Sequence, residues 1–241
     1  MRIQEVRSGI RRIELEMPLL KILKLKCNVW ALQTKSGISL FDCGHEEAIG
    51  TLQSVLKNQR INQVFLTHGH ADHAGSGKHW LKQGVSVYAP RDDIVMLCSE
   101  GPESVPRAFR YPGFEPTGIV SVGDKIDLGG DFRFIVIGTP GHTPGSVCYY
   151  DEQNNILICG DLLFGPFWGH IVTFTTEFLT ALRQTRADLH CHIDSLEQMV
   201  KDHVIKNTTL LLPGHGPGFY LRGESNAIKR SLRLLHLCLR L

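Results

Sequence analysis

Thr67-His68-Gly69-His70-Ala71-Asp72-His73-Ala74-Gly75 sets four residues able to bind a metal between positions 68 and 73. Along an extended strand end, side chains at i and i+2 point the same way, so His68 and His70 can reach one cation together. Asp72 and His73 follow where the chain must turn toward a helix. Gly69 and Gly75 carry no Cβ, which lets the backbone pass close to an ion. Four donors in so short a run are too many for one tetrahedral ion that also keeps a water. The spacing therefore points to two adjacent metals. Buried without a cation, these groups would be unpaired polar atoms and charges, at a cost in stability.

Working outward, Val64-Phe65-Leu66 is a short apolar strand leading straight into the histidines. Upstream, Asn28-Val-Trp-Ala-Leu32 and Ile38-Ser-Leu-Phe41 read as strands separated by the break Lys35-Ser-Gly37. Residues 46–58 carry helical spacing through Ile49, Leu52, Val55 and Leu56. A helix is expected over 76–83 and a strand over 85–89. The second half repeats this style, with strands at 132–137, 146–150, 156–159 and 210–212. Helices are expected at 176–186 and 193–203, and a basic, leucine-rich amphipathic helix over the last 18 residues, read as a surface helix docked on a sheet rather than a membrane anchor. The halves meet near Gly123 with no low-complexity linker, so the expectation is a single domain over 1–241 of α/β class.

Three apolar strands of the second half end on further donors. Gly138-Thr-Pro-Gly-His-Thr-Pro-Gly145 holds His142 in a turn too rich in Gly and Pro for a helix. Cys159-Gly-Asp161 puts a carboxylate directly after a buried strand, and Pro213-Gly-His-Gly216 does the same for His215. Each alone is ordinary turn chemistry; their joint placement at strand ends raises them together.

These residues, taken in order from Asp42 through His215, resemble the metallo-β-lactamase superfamily, and the likeness covers essentially the whole chain. It implies a four-layer αββα sandwich. It further implies that His68, His70 and His142 hold a first metal, that Asp72, His73 and His215 hold a second, and that Asp161 bridges them. Asp42, the superfamily's first motif aspartate, supports the site from behind without ligating. True zinc β-lactamases lack the bridging aspartate, so Asp161 argues against antibiotic hydrolysis. Flavodiiron relatives carry glutamate where this chain has His70, which argues against redox chemistry. The nearest subgroups are glyoxalase II-like and lactonase-like hydrolases. Glyoxalase II adds a C-terminal helical domain that binds glutathione, whereas only residues 216–241 follow His215 here, so glutathione is not the expected thiol.

Two divalent ions sharing a water lower its pKa from about 15.7 to roughly 7, giving a metal-bridging hydroxide as nucleophile, with Asp72 ligating and handling the released proton. Zinc is the default metal; the same N and O donors accept iron or manganese. The leading expectation is a hydrolase of small esters, thioesters or lactones. Phosphodiester hydrolysis of nucleolytic type is the alternative, and a non-catalytic binding module on the same fold is the third. Phe164, Trp168 and His170, after Asp161, could line a substrate pocket, and Arg107 and Arg110, in the irregular, proline-rich stretch 98–118, could clamp an anion. His190 and His192 flank Cys191 and are explained most cheaply as polar residues at a helix start.

Composition sets the outer bounds. A net charge of +2, from 26 basic and 24 acidic residues, is too small to make nucleic acid the default partner. Seven cysteines without a C-x-x-C pair give no disulfide framework or zinc knuckle. With no apolar leader at residues 1–17 and no run of 18 apolar residues, reduced thiols in the cytoplasm and no membrane span are expected. The C-terminal helix offers a contact surface for a homodimer, and a small molecule is the expected substrate.

Overall fold

The computed structural model describes residues 2–16, 26–99, 111–167, 170–172 and 186–221, and positions 228, 232, 233 and 236 beyond them. The chain divides into two compact units, residues 1–121 with 127–132, and residues 122–126 with 133–241.

The first unit is built on a sheet of seven described strands, β1 (Arg2–Arg7), β2 (Ile10–Glu16), β3 (Lys26–Thr34), β4 (Gly37–Phe41), β5 (Ile61–Phe65), β6 (Ser86–Pro90) and β7 (Gly118–Val120), hydrogen-bonded in sequence order. The first four run antiparallel and β4 to β7 run parallel. Parallel neighbours need crossovers, and these are α1 (Ile49–Val55), preceded by a 3-10 turn at Glu46–Ala48, then α2 (Ala71–Ala74) with α3 (Gly77–Lys82), and α4 (Ile94–Cys98). The expected helix over 46–58 thus shortens and ends near Asn58, whose φ of 66° is left-handed. Leu52, Leu56, Trp80 and Leu97 bury against Leu40, Val64 and Val87 of the sheet. Register is marked by an aromatic ladder: Phe41 stacks on Phe65 at 5.5 Å and Phe65 on Tyr88 at 5.0 Å, each pair directly opposite across the strands. With β4, β5 and β6 parallel and in step, the residues that follow them leave the sheet at the same edge.

The second unit carries β8 (Lys125–Asp127), β9 (Arg133–Gly138), β10 (Val147–Asp151), β11 (Ile156–Gly160), β14 (Leu210–Pro213) and β15 (Phe219–Tyr220), in the order β15-β14-β11-β10-β9-β8, with a ribbon of β12 (Phe164–Phe167) and β13 (His170–Val172) beside it. β10 is antiparallel to both β9 and β11, while β11 and β14 are parallel. So β9, β11 and β14 all point one way and again empty onto one edge. The fully buried run Ile156–Gly160 reads as a continuous apolar strand because both its faces are covered.

Helix α5 (Arg186–Lys201) begins about two turns earlier than the spacing predicts, and α6 (Val204–Asn207) follows it. His192, expected to be exposed at a helix start, is instead fully buried inside α5, beside Ile193, Leu196 and Met199 on the packed face. The expected helix over 176–186 falls almost wholly outside the described residues. Near the C-terminus, Ile228 and Leu232 lie in the apolar cluster with Ile193 and Leu196, and His236 Nε2 meets Glu197 Oε1 at 2.7 Å. At the positions described, the tail shares its apolar cluster with α5 and with Leu157 and Leu211 of the sheet. No described helix is long and apolar enough to cross a membrane.

Candidate metal centre

Each unit assembles its donors at the strand edge just described. In the first, β4 ends at Asp42 and β5 delivers Leu66, Thr67 and His68. Asp42 has φ 59°, a left-handed conformation that Asp tolerates better than most residues, and the turn it makes aims a buried carboxylate back across the edge. That carboxylate accepts the Thr67 amide at 2.8 Å, the Thr67 hydroxyl at 2.9 and 3.0 Å, and His73 Nδ1 at 2.8 Å. A carboxylate accepts only, so His73 Nδ1 carries the proton and its Nε2 keeps a lone pair. Thr67 spends its single proton on Asp42, so the 3.0 Å contact between its Oγ1 and His68 Nδ1 makes the ring nitrogen the donor. His68 is thereby fixed in the same tautomer, again with Nε2 as the basic atom. One carboxylate sets two imidazoles, an arrangement typical of the groups behind metal-ligating histidines.

His68 and His70 lie side by side, as the i, i+2 spacing requires of a shared site. His70 has φ −70° and ψ 152° and caps α2, so the chain is extended through His70 and turns helical only at Ala71. The His68 and His70 rings lie 4.8 Å apart, nearly perpendicular, and the His68 and His73 rings 4.1 Å apart. His73 Nε2 approaches Asp72 Oδ2 at 3.6 Å. His68 and His73 are buried, whereas His70 and Asp72 are partly open. Gly75 is required by space, because a Cβ there would sit 2.8 Å from the Glu46 amide nitrogen and 2.4 Å from the Ala71 carbonyl oxygen.

In the second unit, Asp161 follows β11 and His215 follows β14, and their strands are tied at the edge by Gly214 N–H donating to the Gly160 carbonyl at 2.7 Å. His142 arrives from the turn after β9. The Nε2 atoms of His142 and His215 stand 3.4 and 3.3 Å from the same oxygen, Asp161 Oδ2. Donors held about 2.1 Å from a tetrahedral ion are separated from one another by about 3.4 Å. The three side chains of this unit are thus spaced like the edges of a coordination shell, and the donor types are those that suit a divalent ion. The four candidate donors of the first unit and the three of the second each lie close together within their own unit.

Around these donors, Phe164 packs its ring 4.7 Å from that of His215, which places one expected substrate-lining residue beside a candidate ligand. His170 lies in β13 opposite Phe167, its side chain outside the description. Trp168, Arg107 and Arg110 lie outside the described residues. Sequence reasoning missed Asp93 and Tyr111. Asp93 accepts the Gly69 amide at 2.8 Å and Tyr111 donates to the Gly69 carbonyl at 2.7 Å. It also missed Ser195, whose hydroxyl donates to the Pro140 carbonyl at 2.9 Å and ties α5 to the His142 turn. These partners are backbone atoms distant in sequence, so no side-chain pattern announces them.

The buried thiols take no part in this chemistry as nucleophiles. Burial pushes Cys43 well above its ordinary value, helped by the Asp42 charge, and pushes Cys148 up to about 12. Both stay protonated and behave as small hydrophobes. His190 and Cys191 are exposed while His192 is buried, so His192 faces away from the other two on α5.

Known proteins match this pattern. Residues 23–219 fit the family model described as Metallo-beta-lactamase superfamily. A probable metallo-hydrolase of Bacillus subtilis is 25% identical, over 84% of this chain and 84% of its own length. A hydroxyacylglutathione hydrolase of Klebsiella pneumoniae is 31% identical over 62% of this chain, which spans 52% of that enzyme. A metallo-beta-lactamase structure from Pontibacter korlensis aligns with 98% of both chains at a TM-score of 0.75 and 19% identity, a likeness of fold. The αββα fold class expected from the motifs is the fold of these neighbours.

Proposed function

The chain belongs to the metallo-β-lactamase superfamily of hydrolases, and we propose that it uses two divalent metal ions to hydrolyse a small carboxylic ester, thioester or lactone. In this reading the chain is a single domain, as the motif order implies. His68, His70 and His142 would hold one ion, Asp72, His73 and His215 the other, and Asp161 would bridge them. The observation that carries it is the convergence of His142 and His215 on a single oxygen of Asp161, at 3.4 and 3.3 Å. A carboxylate so placed between two imidazoles suits a bridging ligand. Zinc is the metal we favour for this N and O donor set, and iron or manganese would satisfy it too.

Bound there, the metals would supply Lewis acidity toward the substrate carbonyl and a water ionised near neutral pH. The chain's own residues do the rest. Asp42 directs the Nε2 lone pairs of His73 and, through Thr67, of His68 toward the site by holding the protons of the neutral rings on Nδ1. Asp72, partly open to solvent and 3.6 Å from His73 Nε2, is the group we assign to take up the proton released as water attacks. Phe164, against His215, would give the acyl side of the substrate an apolar wall. A cytoplasmic setting fits the free thiols of Cys27, Cys43, Cys98, Cys148, Cys159 and Cys191.

The test is a panel of thioesters, lactones, simple esters and bis-p-nitrophenyl phosphate, run on the metal-loaded protein. Turnover of carboxylic substrates supports the proposal. Cleavage of the phosphodiester alone replaces it with the nucleolytic reading, and no turnover at all favours a binding module.

A further inference from the structure

We infer that Asp93 and Tyr111 are positioning residues that lock the Gly69 backbone and thereby set the relation between His68 and His70. The inference rests on the metal-binding reading above and deepens it. His68 and His70 share a direction only while the residue between them stays extended. That residue is glycine, the least constrained of all, so nothing intrinsic to it keeps the pair aligned. Nor can a side chain supply the stiffness. A Cβ on Gly69 would lie 2.9 Å from Met96 Sδ and 3.4 Å from Asp93 Cβ, in space already filled by the turn into α4 and by α4 itself.

The constraint comes from outside, at both ends of the residue. The Gly69 N–H belongs to the peptide plane shared with His68, and it donates to Asp93 Oδ2 at 2.8 Å. The Gly69 carbonyl belongs to the plane shared with His70, and it accepts the Tyr111 hydroxyl at 2.7 Å. Fixing both planes fixes φ and ψ of Gly69 together, and with them the angle between the two Cα–Cβ vectors. Both partners are buried, Asp93 at 1% and Tyr111 at 3% exposure, so water does not compete for either bond. Their origins explain the fit. Asp93 follows β6, the parallel neighbour of β5, and so emerges at the same edge as His68. Tyr111 is held by packing against Phe114, ring centres 6.1 Å apart, while Phe114 fills the space that Gly77 leaves open. Burial raises the Tyr111 hydroxyl above its ordinary value, so it remains a donor across the working range.

The experiment uses the full-length protein with Co(II) as probe. Tyr111→Phe removes one oxygen and keeps the ring; Asp93→Leu keeps the branched shape and removes the oxygen that accepts the Gly69 N–H. Affinity is read by chelator competition and ligand geometry by the Co(II) visible spectrum, with a thermal melt of the metal-free protein as the fold control. Each variant is expected to bind Co(II) 10- to 100-fold more weakly, with an altered spectrum. A variant that melts lower yet binds Co(II) with wild-type affinity and spectrum overturns the inference, since a merely structural hydrogen bond would behave that way. Wild-type protein that binds no Co(II) overturns the metal site itself, a result distinct from the first because it appears before any substitution is made.

Discussion

Asp42→Asn is the substitution that separates a supporting carboxylate from a structural one. Asn also tolerates the left-handed φ of 59° found at this position, so the turn after β4 survives and only one atom changes its chemistry. The wild-type carboxylate accepts four hydrogen-bond contacts, three from Thr67 and one from His73 Nδ1. An amide can satisfy the Thr67 side with its oxygen, and its NH2 then faces His73 Nδ1. Two donors cannot face each other, so His73 must move its proton to Nε2, the atom proposed to bind metal. Restoring Nε2 as a ligand means leaving a buried donor pair opposed, and losing a hydrogen bond to a charged group is worth about 1.5–3 kcal/mol. At about 1.4 kcal/mol per tenfold, that is a 10- to 100-fold loss of affinity for the ion held by His73. Chelator competition on the purified variant measures it directly, with circular dichroism to confirm that the fold is kept. Unchanged affinity for both ions would show that Asp42 does not govern the histidine tautomers, and the chain of hydrogen bonds from Asp42 through Thr67 to His68 would lose its assigned role.

Two further outcomes follow from the second unit. Gly141→Ala puts a Cβ 2.4 Å from the His192 backbone nitrogen at a residue whose φ is 136°; overpacking plus backbone strain predict a loss of about 2–4 kcal/mol in urea unfolding, and a loss under about 1 kcal/mol would contradict the close packing of α5 on the His142 turn. Burial pushes His192 down from 6.5 to about 4, so between those values the unfolded chain binds a proton that the folded chain refuses, and stability falls as pH falls. From pH 7 to pH 4.5 the metal-free wild type should lose about 2 kcal/mol more than His192→Gln; equal losses in the two proteins would assign acid sensitivity elsewhere.

The candidate metal ligands were legible in the sequence because they sit on regular geometry. Strand periodicity gives His68 and His70 a common direction, and apolar strands closed by Asp161 and His215 announce their own ends. What stayed hidden was held by tertiary partners. The hairpin β1–β2 is rich in charge, and Arg12 is nonetheless buried because Glu14 pairs with it at 3.4 Å; no local pattern distinguishes that from a solvated face. His192 was misplaced because the helix was started at Ile193, although Leu189, Ile193, Leu196 and Val200 already carry the helical spacing one turn upstream. Asp93 and Tyr111 bind the backbone of a residue 24 and 42 positions away, a relation that only the parallel order of β5 and β6 and the packing around Phe114 create.

Metal content per chain, determined by elemental analysis of wild type and Asp161→Ala after identical loading and desalting, bears most directly on the central claim. Two ions per wild-type chain, with metal and hydrolysis lost together in the variant, is the expected result. A wild-type protein that retains no metal, or a variant that keeps both ions and full turnover, would contradict it.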